Sequence, residues 1–262
     1  MGFFGRKRAP SVPHPRKEPR FDGPLTLERL EQIFQDCVDF TKRPVSLGEG
    51  GACTLTLCYL SGMVKMERVS DYVLRPLAQD EALARCGTPR QAMDRMKDGA
   101  LYNLSAEERT RLDAAVFDLV NGCCLLLFPW ESSVLSLNVG TEEKRSISSP
   151  SNETVLKGSR DAFVESLRTN TSIVRRHLKA PELRIREQVV GRQSVTSVDI
   201  LYIEGLTNPH LVEQVAAQLA DIDIDAVLTT GNIEEYIVPA ARTAFPLVQY
   251  TERSDRFCAG LA

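Results

Sequence analysis

The chain has 262 residues, of which 43% are hydrophobic and 26% are charged, a composition typical of globular domains. Its net charge is −3, and residues 1–20 hold six Lys or Arg against one acid, so the rest of the chain is more acidic than that total. An acidic body argues against broad nucleic-acid binding, which needs a cationic face. No stretch approaches the ~18 uninterrupted apolar residues of a membrane span, so we expect the chain as given to be soluble.

Residues 1–24 form a basic segment with five prolines. Such a composition predicts an extended or disordered tail rather than a packed element. The tail either serves as a solubilising leader or contacts anionic lipid headgroups, which attract clusters of this kind. The sequence leaves both interpretations open.

The following residues, 25–145, predict an N-terminal α/β subdomain. Apolar residues at helical spacing begin after Leu25, and the alternating residues 53–60 predict a strand. Ser105 opens a capping box that predicts a helix over residues 106–120. Residues 123–128 and 134–139 are short apolar runs on either side of a loop, and they predict two paired strands.

A polar stretch at residues 140–151 marks the boundary to a C-terminal α/β subdomain, predicted over residues 146–262. Ser159 is the predicted cap of a helix that reaches about Lys179, with basic residues at its end that complement the helix dipole. Further on, an alternating hairpin and more helices follow. Strands alternating with helices predict an α/β fold, which we take to be two packed α/β subdomains with mixed sheets flanked by helices.

The motifs of common catalytic and metal sites are absent from the sequence. The glycine-rich residues 48–51 precede a strand and lack the Lys-Ser/Thr of a phosphate-binding loop. The three histidines lack zinc-ligand spacing, and no G-x-S-x-G nucleophile motif occurs. We therefore predict a protein that is not an enzyme and has no metal site and no cofactor.

The densest polar constellation of the chain lies between Asn152 and Lys179. Guanidinium and carboxylate groups of this density can form forked ion pairs with a neighbouring subunit or subdomain. A well-capped amphipathic surface helix is the alternative. The candidate interface residues are Asn152, Glu153, Arg160, Asp161, Phe163, Glu165, Asn170, Arg175 and Arg176.

The segment from Pro150 to Arg176 resembles the signature of the GerA family of spore germination proteins, which reads approximately Pro-x-Asn-Glu, Gly, Phe-x-Glu-Ser, Asn and Arg-Arg. Further stretches that look like the family follow in order at residues 183–191, 198–203, 245–246 and 252–255. The match is specific over residues 146–262 and looser before them. Two positions depart from the family pattern: Ser254, where Pro is usual, and His177, where another Arg is usual.

The resemblance implies the N-terminal region of a germinant receptor A subunit, with a role in nutrient-triggered signalling and ion release during spore germination. The implied location is the spore inner membrane, with this region on the cytoplasmic (core) side. Expected partners are the receptor B and C subunits and further copies of the A subunit, with no nucleic acid. Family members continue into a membrane region of several helices, which we expect this chain to lack.

Two alternatives remain open at this point. Two α/β lobes could close around a nutrient, which would make the chain a small-molecule binding module. The chain could also be the stage V sporulation paralogue, which resembles receptor A subunits and acts with the dipicolinic acid channel.

Overall fold

The computed structural model describes residues 20–47, 53–101, 105–140, 161–227, 229–238 and 248–262. We call the described residues 20–140 the N-terminal part and the described residues 161–262 the C-terminal part. The predicted subdomain boundary at 145/146 lies outside the described residues, so the division at that position stays a prediction. No helix of the described residues is long and apolar enough to cross a membrane.

The N-terminal part is built around an antiparallel sheet in the order β1-β2-β4-β5-β3. The strands are β1 Phe40–Ser46, β2 Thr54–Leu60, β3 Ala106–Arg109, β4 Cys123–Leu127 and β5 Val134–Asn138. The helices are α1 Leu27–Ile33, α2 Met66–Val69, α3 Arg75–Gln79, α4 Glu81–Ala84, α5 Pro89–Arg95 and α6 Leu112–Val120, with further helical turns at Ser70–Leu74 and Met96–Ala100.

Helices cover both faces of this sheet because successive strand residues point to opposite sides. Leu57 and Leu126 face one apolar cluster, which helices α2 to α5 complete. Cys58 and Leu125 face a second cluster, which contains Leu30 of α1 and residues of α6. The result is a three-layer arrangement with a core on each side of the sheet.

One predicted helix in this part is partly a strand. Residues 106–109 form β3 and pair with Val134–Leu137 of β5, and helix α6 begins only at Leu112. Glu108, the acid of the predicted capping box, instead bonds Arg90, Lys97 and Ser133. The tertiary pairing therefore overrides a local helix signal.

The C-terminal part contains a single described hairpin with helices on both faces. Strands β6 Leu183–Val190 and β7 Thr196–Ile203 pair in antiparallel register. The helices are α7 Leu167–His177, α8 Pro209–Ala220, α9 Thr230–Ile237 and α10 Ser254–Leu261. One face packs on α7 and α10 through Val174, Ile185 and Cys258, and the other packs on α8 and α9 through Val190 and Leu219.

Helix α7 begins at Leu167 with Ser166 as its cap, later than the predicted start at Ser159. The side chain of Asn170 explains the shift. Its Oδ1 accepts the Val164 amide at 2.8 Å and its Nδ2 donates to the Val164 carbonyl at 2.7 Å. Asn170 thereby holds the preceding segment in a non-helical path along the first turn.

The predicted α/β class is confirmed. The sheets differ from the expected mixed sheets in one respect, since the strand ladders are antiparallel throughout the described residues. For three of the five pairs, β1–β2, β4–β5 and β6–β7, the physical reason is that the connection is short, and a short connection can join only antiparallel neighbours.

Candidate functional site: the contact between the two parts

The contact between the N-terminal and C-terminal parts centres on residues 36–39, which connect α1 to β1 and which we call the 36–39 turn. Asp36 has a left-handed backbone, with φ of 56°, a conformation that Asp tolerates better than most residues. The turn meets β6 edge to edge: the Val38 amide donates to the Ile185 carbonyl, and the Ile185 amide donates to the Asp36 carbonyl, each at 3.0 Å. The main chains of the two parts are thus joined directly.

Beneath this backbone contact lies a buried ion pair. The Arg175 Nε is 2.8 Å from Asp39 Oδ2 and its Nη2 is 3.0 Å from Asp39 Oδ1, which makes the pair bidentate. The two side chains are only 1% and 3% exposed. Burial acts to lower the pKa of Arg175, but hydrogen bonds and charge from Asp39 outweigh it and the pKa is raised, so the guanidinium stays charged.

A second arginine crosses the contact from β6. The Arg184 Nη1 donates to the Ile33 carbonyl at 2.6 Å and to the Pro181 carbonyl at 3.0 Å, and its guanidinium pairs with Glu204. Ile33 is the last residue of α1, where a cation complements the negative end of the helix dipole. Arg184 therefore attaches the end of α1 to the hairpin.

The thiol of Cys37 lies between these two arginines. Its Sγ donates to the Leu183 carbonyl at 3.4 Å and lies 3.4 Å from Arg175 Nη2. Burial raises the pKa of Cys37, and the nearby charge of Arg175 only partly offsets the rise. A neutral, buried thiol is a packing group and a poor nucleophile.

Three further contacts surround this centre. Gly62 leaves no room for a side chain, because a Cβ there would come within 2.7 Å of Ser172 Cβ on α7. Lys179 donates to Asn121 at 2.9 Å, and Arg20 pairs with Glu182 at 2.8 Å. The contact thus combines a buried, charged centre with a more exposed rim that includes polar contacts.

A Ser–His–Asp group occurs in the C-terminal part, but its geometry is not that of a catalytic triad. Ser254 Oγ and Asp161 Oδ2 both lie 3.4 Å from the same His177 nitrogen, Nε2, whereas a triad uses the two ring nitrogens separately. Ser254 is also buried, and its Oγ lies 3.0 Å from the Asp161 carbonyl, to which it donates. His177 and Ser254, the two departures from the family pattern, are therefore in contact with each other.

The structure brings some of the predicted interface residues together and separates others. Arg175 lies at the contact between the two parts. Asp161, Phe163 and Asn170 make contacts inside the C-terminal part, where Phe163 stacks edge-on against Phe257 at 5.4 Å. Glu165 and Arg176 are exposed. Asn152, Glu153 and Arg160 lie outside the described residues, and the role of all nine in an interface stays a prediction.

Sequence reasoning missed Asp39, Cys37 and Arg184. Asp39 sits in an ordinary stretch between a helix and a strand, so no local pattern singles it out. Arg184 is one of the polar residues that alternate with apolar ones along β6, and residues on the polar side of such a strand usually face solvent. No group of three or more His, Cys, Asp or Glu among the described residues is arranged to hold a metal ion.

Comparison with known proteins gives consistent matches. The family model of the Bacillus/Clostridium GerA spore germination protein matches residues 28–262. The chain is 32% identical to the uncharacterized membrane protein YfkQ of Bacillus subtilis over 90% of its length and 44% of that protein. It is 31% identical to spore germination protein KA of Bacillus subtilis over 83% of its length and 39% of that protein.

One solved structure has the same fold. The crystal structure of the N-terminal domain of the A subunit of the Bacillus megaterium spore germinant receptor GerK3 matches with a TM-score of 0.68 and 25% identity. The match covers 90% of this chain and 85% of that one. The chain corresponds to 44% and 39% of the two longer curated relatives named above.

Proposed function

Because the chain belongs to the GerA family of spore germination proteins, we propose that it acts as the N-terminal domain of a germinant receptor A subunit and passes a nutrient signal toward ion release. The proposed action is mechanical. Movement of the C-terminal part relative to the N-terminal part would alter the conformation of the receptor in the membrane. No bond is made or broken in this proposal.

The observation that carries the proposal is the Arg175–Asp39 ion pair. A buried bidentate pair is either formed, with both charges compensated, or broken, with both charges in need of water or new partners. Such a contact favours two discrete conformations of the domain, one with the ion pair formed and one with it broken, over a continuous range of intermediates. Backbone hydrogen bonds between the 36–39 turn and β6 join the sheet of one part to the hairpin of the other. A movement of either one is therefore transmitted to the other.

The proposed partners are the B and C subunits of the receptor and other copies of the A subunit. We place the domain on the core side of the spore inner membrane, attached through the additional length that the relatives possess. The proposal of a non-enzymatic role is supported by the chemistry of the contact. Its ionisable groups pair with one another, and the Cys37 thiol is held neutral by burial.

The proposal is tested in spores that carry the full-length protein. Arg175→Lys keeps the positive charge but removes the bidentate geometry, which a compact ammonium cannot reproduce. Arg176→Lys is the matched control, because Arg176 is the neighbouring residue and is exposed. We expect R175K spores to germinate abnormally in response to nutrient at normal levels of the A subunit, and R176K spores to respond normally.

Two outcomes would count against the proposal. Unchanged germination in R175K spores would show that the contact plays no part in the signal. Loss of the A subunit from R175K membranes would show that Arg175 is needed for folding. The milder Asp39→Glu variant retains both charges, and in that case it would have to show the signalling defect.

A second candidate function, nutrient binding, is favoured by a groove beside the same contact. The groove is shallow, has a volume of about 540 Å³, and is lined by Phe34, residues 36–38 of the turn and residues 185–189 of β6. Val38 and Val189 on its rim are 40% and 57% exposed, so apolar surface is available to a ligand. Calorimetry of the chain with amino acids and sugars tests this, and the absence of saturable heat would reject it.

A further inference from the structure

Trp130, the single tryptophan of the chain, lies in the loop that joins β4 to β5 and is 99% exposed. Its backbone is left-handed, with φ of 67°, a value that is uncommon for bulky residues. Pro129 precedes it, and the Glu131 amide donates to the Phe128 carbonyl at 3.3 Å, which is the pattern of a type II turn. The third position of such a turn favours Gly or Asn. The turn itself therefore gains nothing from an indole ring at this position.

The loop holds this ring on a fixed base. Phe128, at one end, is 4% exposed and packs in the apolar cluster that helices α2 to α5 complete. Ser133, at the other end, is equally buried, and its hydroxyl donates to Glu108 at 2.8 Å. Because both ends are fixed, burying the ring of Trp130 against a further surface costs little conformational entropy.

The basic N-terminal segment joins the fold at the same end of the sheet. Arg109 of β3 pairs with Val134 of β5, so the start of α6 and the end of the loop are neighbours. The Arg20 amide donates to Asp113, in the first turn of α6, at 2.9 Å. The basic segment therefore meets the described residues at the end of the sheet that carries the loop.

A hollow of about 500 Å³ lies between these two features. It is lined by Leu25 and Glu28, which follow the basic segment, and by Trp130 of the loop. The carboxylate of Glu28, and that of Glu131 beside the ring, repel an anionic surface. Residues 1–20 outweigh them, because they carry six Lys or Arg against one acid. One end of the N-terminal part thus combines an exposed indole ring with an excess of positive charge.

We propose that this end binds the surface of a bilayer that contains anionic phospholipid, with the ring of Trp130 in the interfacial layer and the basic segment on the headgroups. Tryptophan is enriched at that depth because its ring is apolar and its N–H can find a hydrogen-bond partner there. Each Lys or Arg near an anionic membrane strengthens binding by about fivefold. The proposal does not depend on the signalling role proposed above, since it concerns the N-terminal part alone.

A protein partner fits this end less well than a membrane. A stable protein interface buries about 800 Å² on each side, and a tryptophan supplies at most about 250 Å² of it. Within the loop, which is fully described, Trp130 is the one large apolar side chain that is exposed, since Phe128 is buried. A lone ring suits the interfacial layer of a membrane, where it inserts without a matching pocket.

The test follows the fluorescence of Trp130, which has no background because the chain contains no other tryptophan. The chain is titrated with vesicles made of equal parts of phosphatidylglycerol and phosphatidylcholine and, separately, with vesicles of phosphatidylcholine alone. With the anionic vesicles we expect the emission maximum to move to shorter wavelength and a water-soluble quencher to become less effective. Both effects should weaken as salt is added, because salt screens the attraction. Neutral vesicles should bind more weakly by about tenfold or more.

Three results would overturn the proposal. The first is an unchanged spectrum with anionic vesicles, and the second is an equal change with neutral ones. The third is an emission maximum that moves with the concentration of the chain in the absence of vesicles, which would place the ring between two copies of the chain.

Three variants, compared by sedimentation with the anionic vesicles, assign the binding to this end. Trp130→Gly removes the ring and suits the left-handed backbone, so it should stay folded while binding more weakly by about tenfold. Deletion of residues 1–19 should weaken binding by about tenfold or more. Tyr236→Ala, at an exposed aromatic residue of α9 in the C-terminal part, is the control and should bind like the unmodified chain. Retained binding in W130G or in the deletion variant would contradict the assignment.

Discussion

Arg175 and Asp39 lie 136 positions apart in the chain and form a bidentate ion pair with 1% and 3% of their side chains exposed. The pair joins the last turn of α7 to the 36–39 turn, and so joins the hairpin and its helices to the five-stranded sheet. It is the most deeply buried charged contact among the described ion pairs.

Arg175→Ala is expected to destabilise the chain by about 3–5 kcal/mol, because it leaves the Asp39 carboxylate buried without its partner. Arg176→Ala, at the exposed neighbour, should change the free energy of unfolding by less than about 0.5 kcal/mol. Urea denaturation of both variants measures the difference. The double variant Asp39→Ala with Arg175→Ala should lose less than the sum of the single variants, and additive losses would show that the two side chains act independently.

Labelling of Cys37 reports whether the contact is closed. Burial raises the pKa of Cys37 and raises that of Cys58 to about 12, so both thiols should react slowly with an alkylating reagent at pH 7.5. In R175A, the rate at Cys37 should rise while the rate at Cys58, inside the sheet, stays low. Mass spectrometry of the labelled peptides measures both rates, and equal acceleration at the two cysteines would indicate general unfolding instead of opening of the contact.

Glu108 should stabilise the N-terminal part in a pH-dependent way. Hydrogen bonds from Arg90, Lys97 and Ser133 lower the pKa of Glu108 from its ordinary value of 4.5 to about 2. The stabilisation is therefore present above pH 4.5 and is lost as the pH falls toward 2. Glu108→Gln should lower stability by about 1 kcal/mol at pH 7, since the network is partly open to solvent.

The Glu108 prediction is checked by thermal unfolding of E108Q and the unmodified chain between pH 2.5 and 7. The difference between them should shrink steadily below the ordinary glutamate pKa. Glu165→Gln, at an exposed glutamate, serves as the control and should show no such trend. A constant difference at all pH values would mean that the charge of Glu108 is not what stabilises the network.

Asp199 should have the opposite pH dependence. Its pKa is raised in the folded chain, chiefly by burial, so the folded state favours the protonated acid. Stability from this group is full below the ordinary aspartate pKa and is lost as the pH rises through the raised value. Asp199→Asn should therefore be more stable than the unmodified chain at pH 7, by about 1–3 kcal/mol, and the advantage should vanish at low pH. A less stable D199N at pH 7 would show that the carboxylate is well compensated.

The α/β class and the hairpin of the C-terminal part follow from sequence patterns, because alternation and short turns act locally. The start of α7 could not be predicted from such local patterns. The cap of α7 is Ser166, seven residues after the predicted cap at Ser159, because the side chain of Asn170 bonds both backbone groups of Val164 and keeps that segment out of the helix. Likewise, residues 106–109 have a helix-forming sequence but pair with the edge of β5. That strand lies nearly thirty residues further along the chain, so the pairing has no local sequence signal.

The candidate site was less accessible to sequence reasoning than the fold. The three basic residues 175–177 lie in the last turn of the same helix, and the helix dipole predicts the same favourable interaction for each of them. Only the packing of α7 decides that Arg175 is buried while Arg176 is exposed. Its partner Asp39 comes from the other part of the chain, and no local pattern connects two residues so far apart.

The proposed signal requires movement at the contact between the 36–39 turn and β6, and amide hydrogen exchange measures that movement most directly. The test uses membranes containing the full-length protein with its receptor subunits, with and without nutrient, and follows peptides that contain Val38 and Ile185. We predict slow exchange at both amides without nutrient and exchange faster by about tenfold or more with it, while β4 in the core of the sheet stays unchanged. Exchange at Val38 and Ile185 that does not respond to nutrient would contradict a signal carried by movement at this contact.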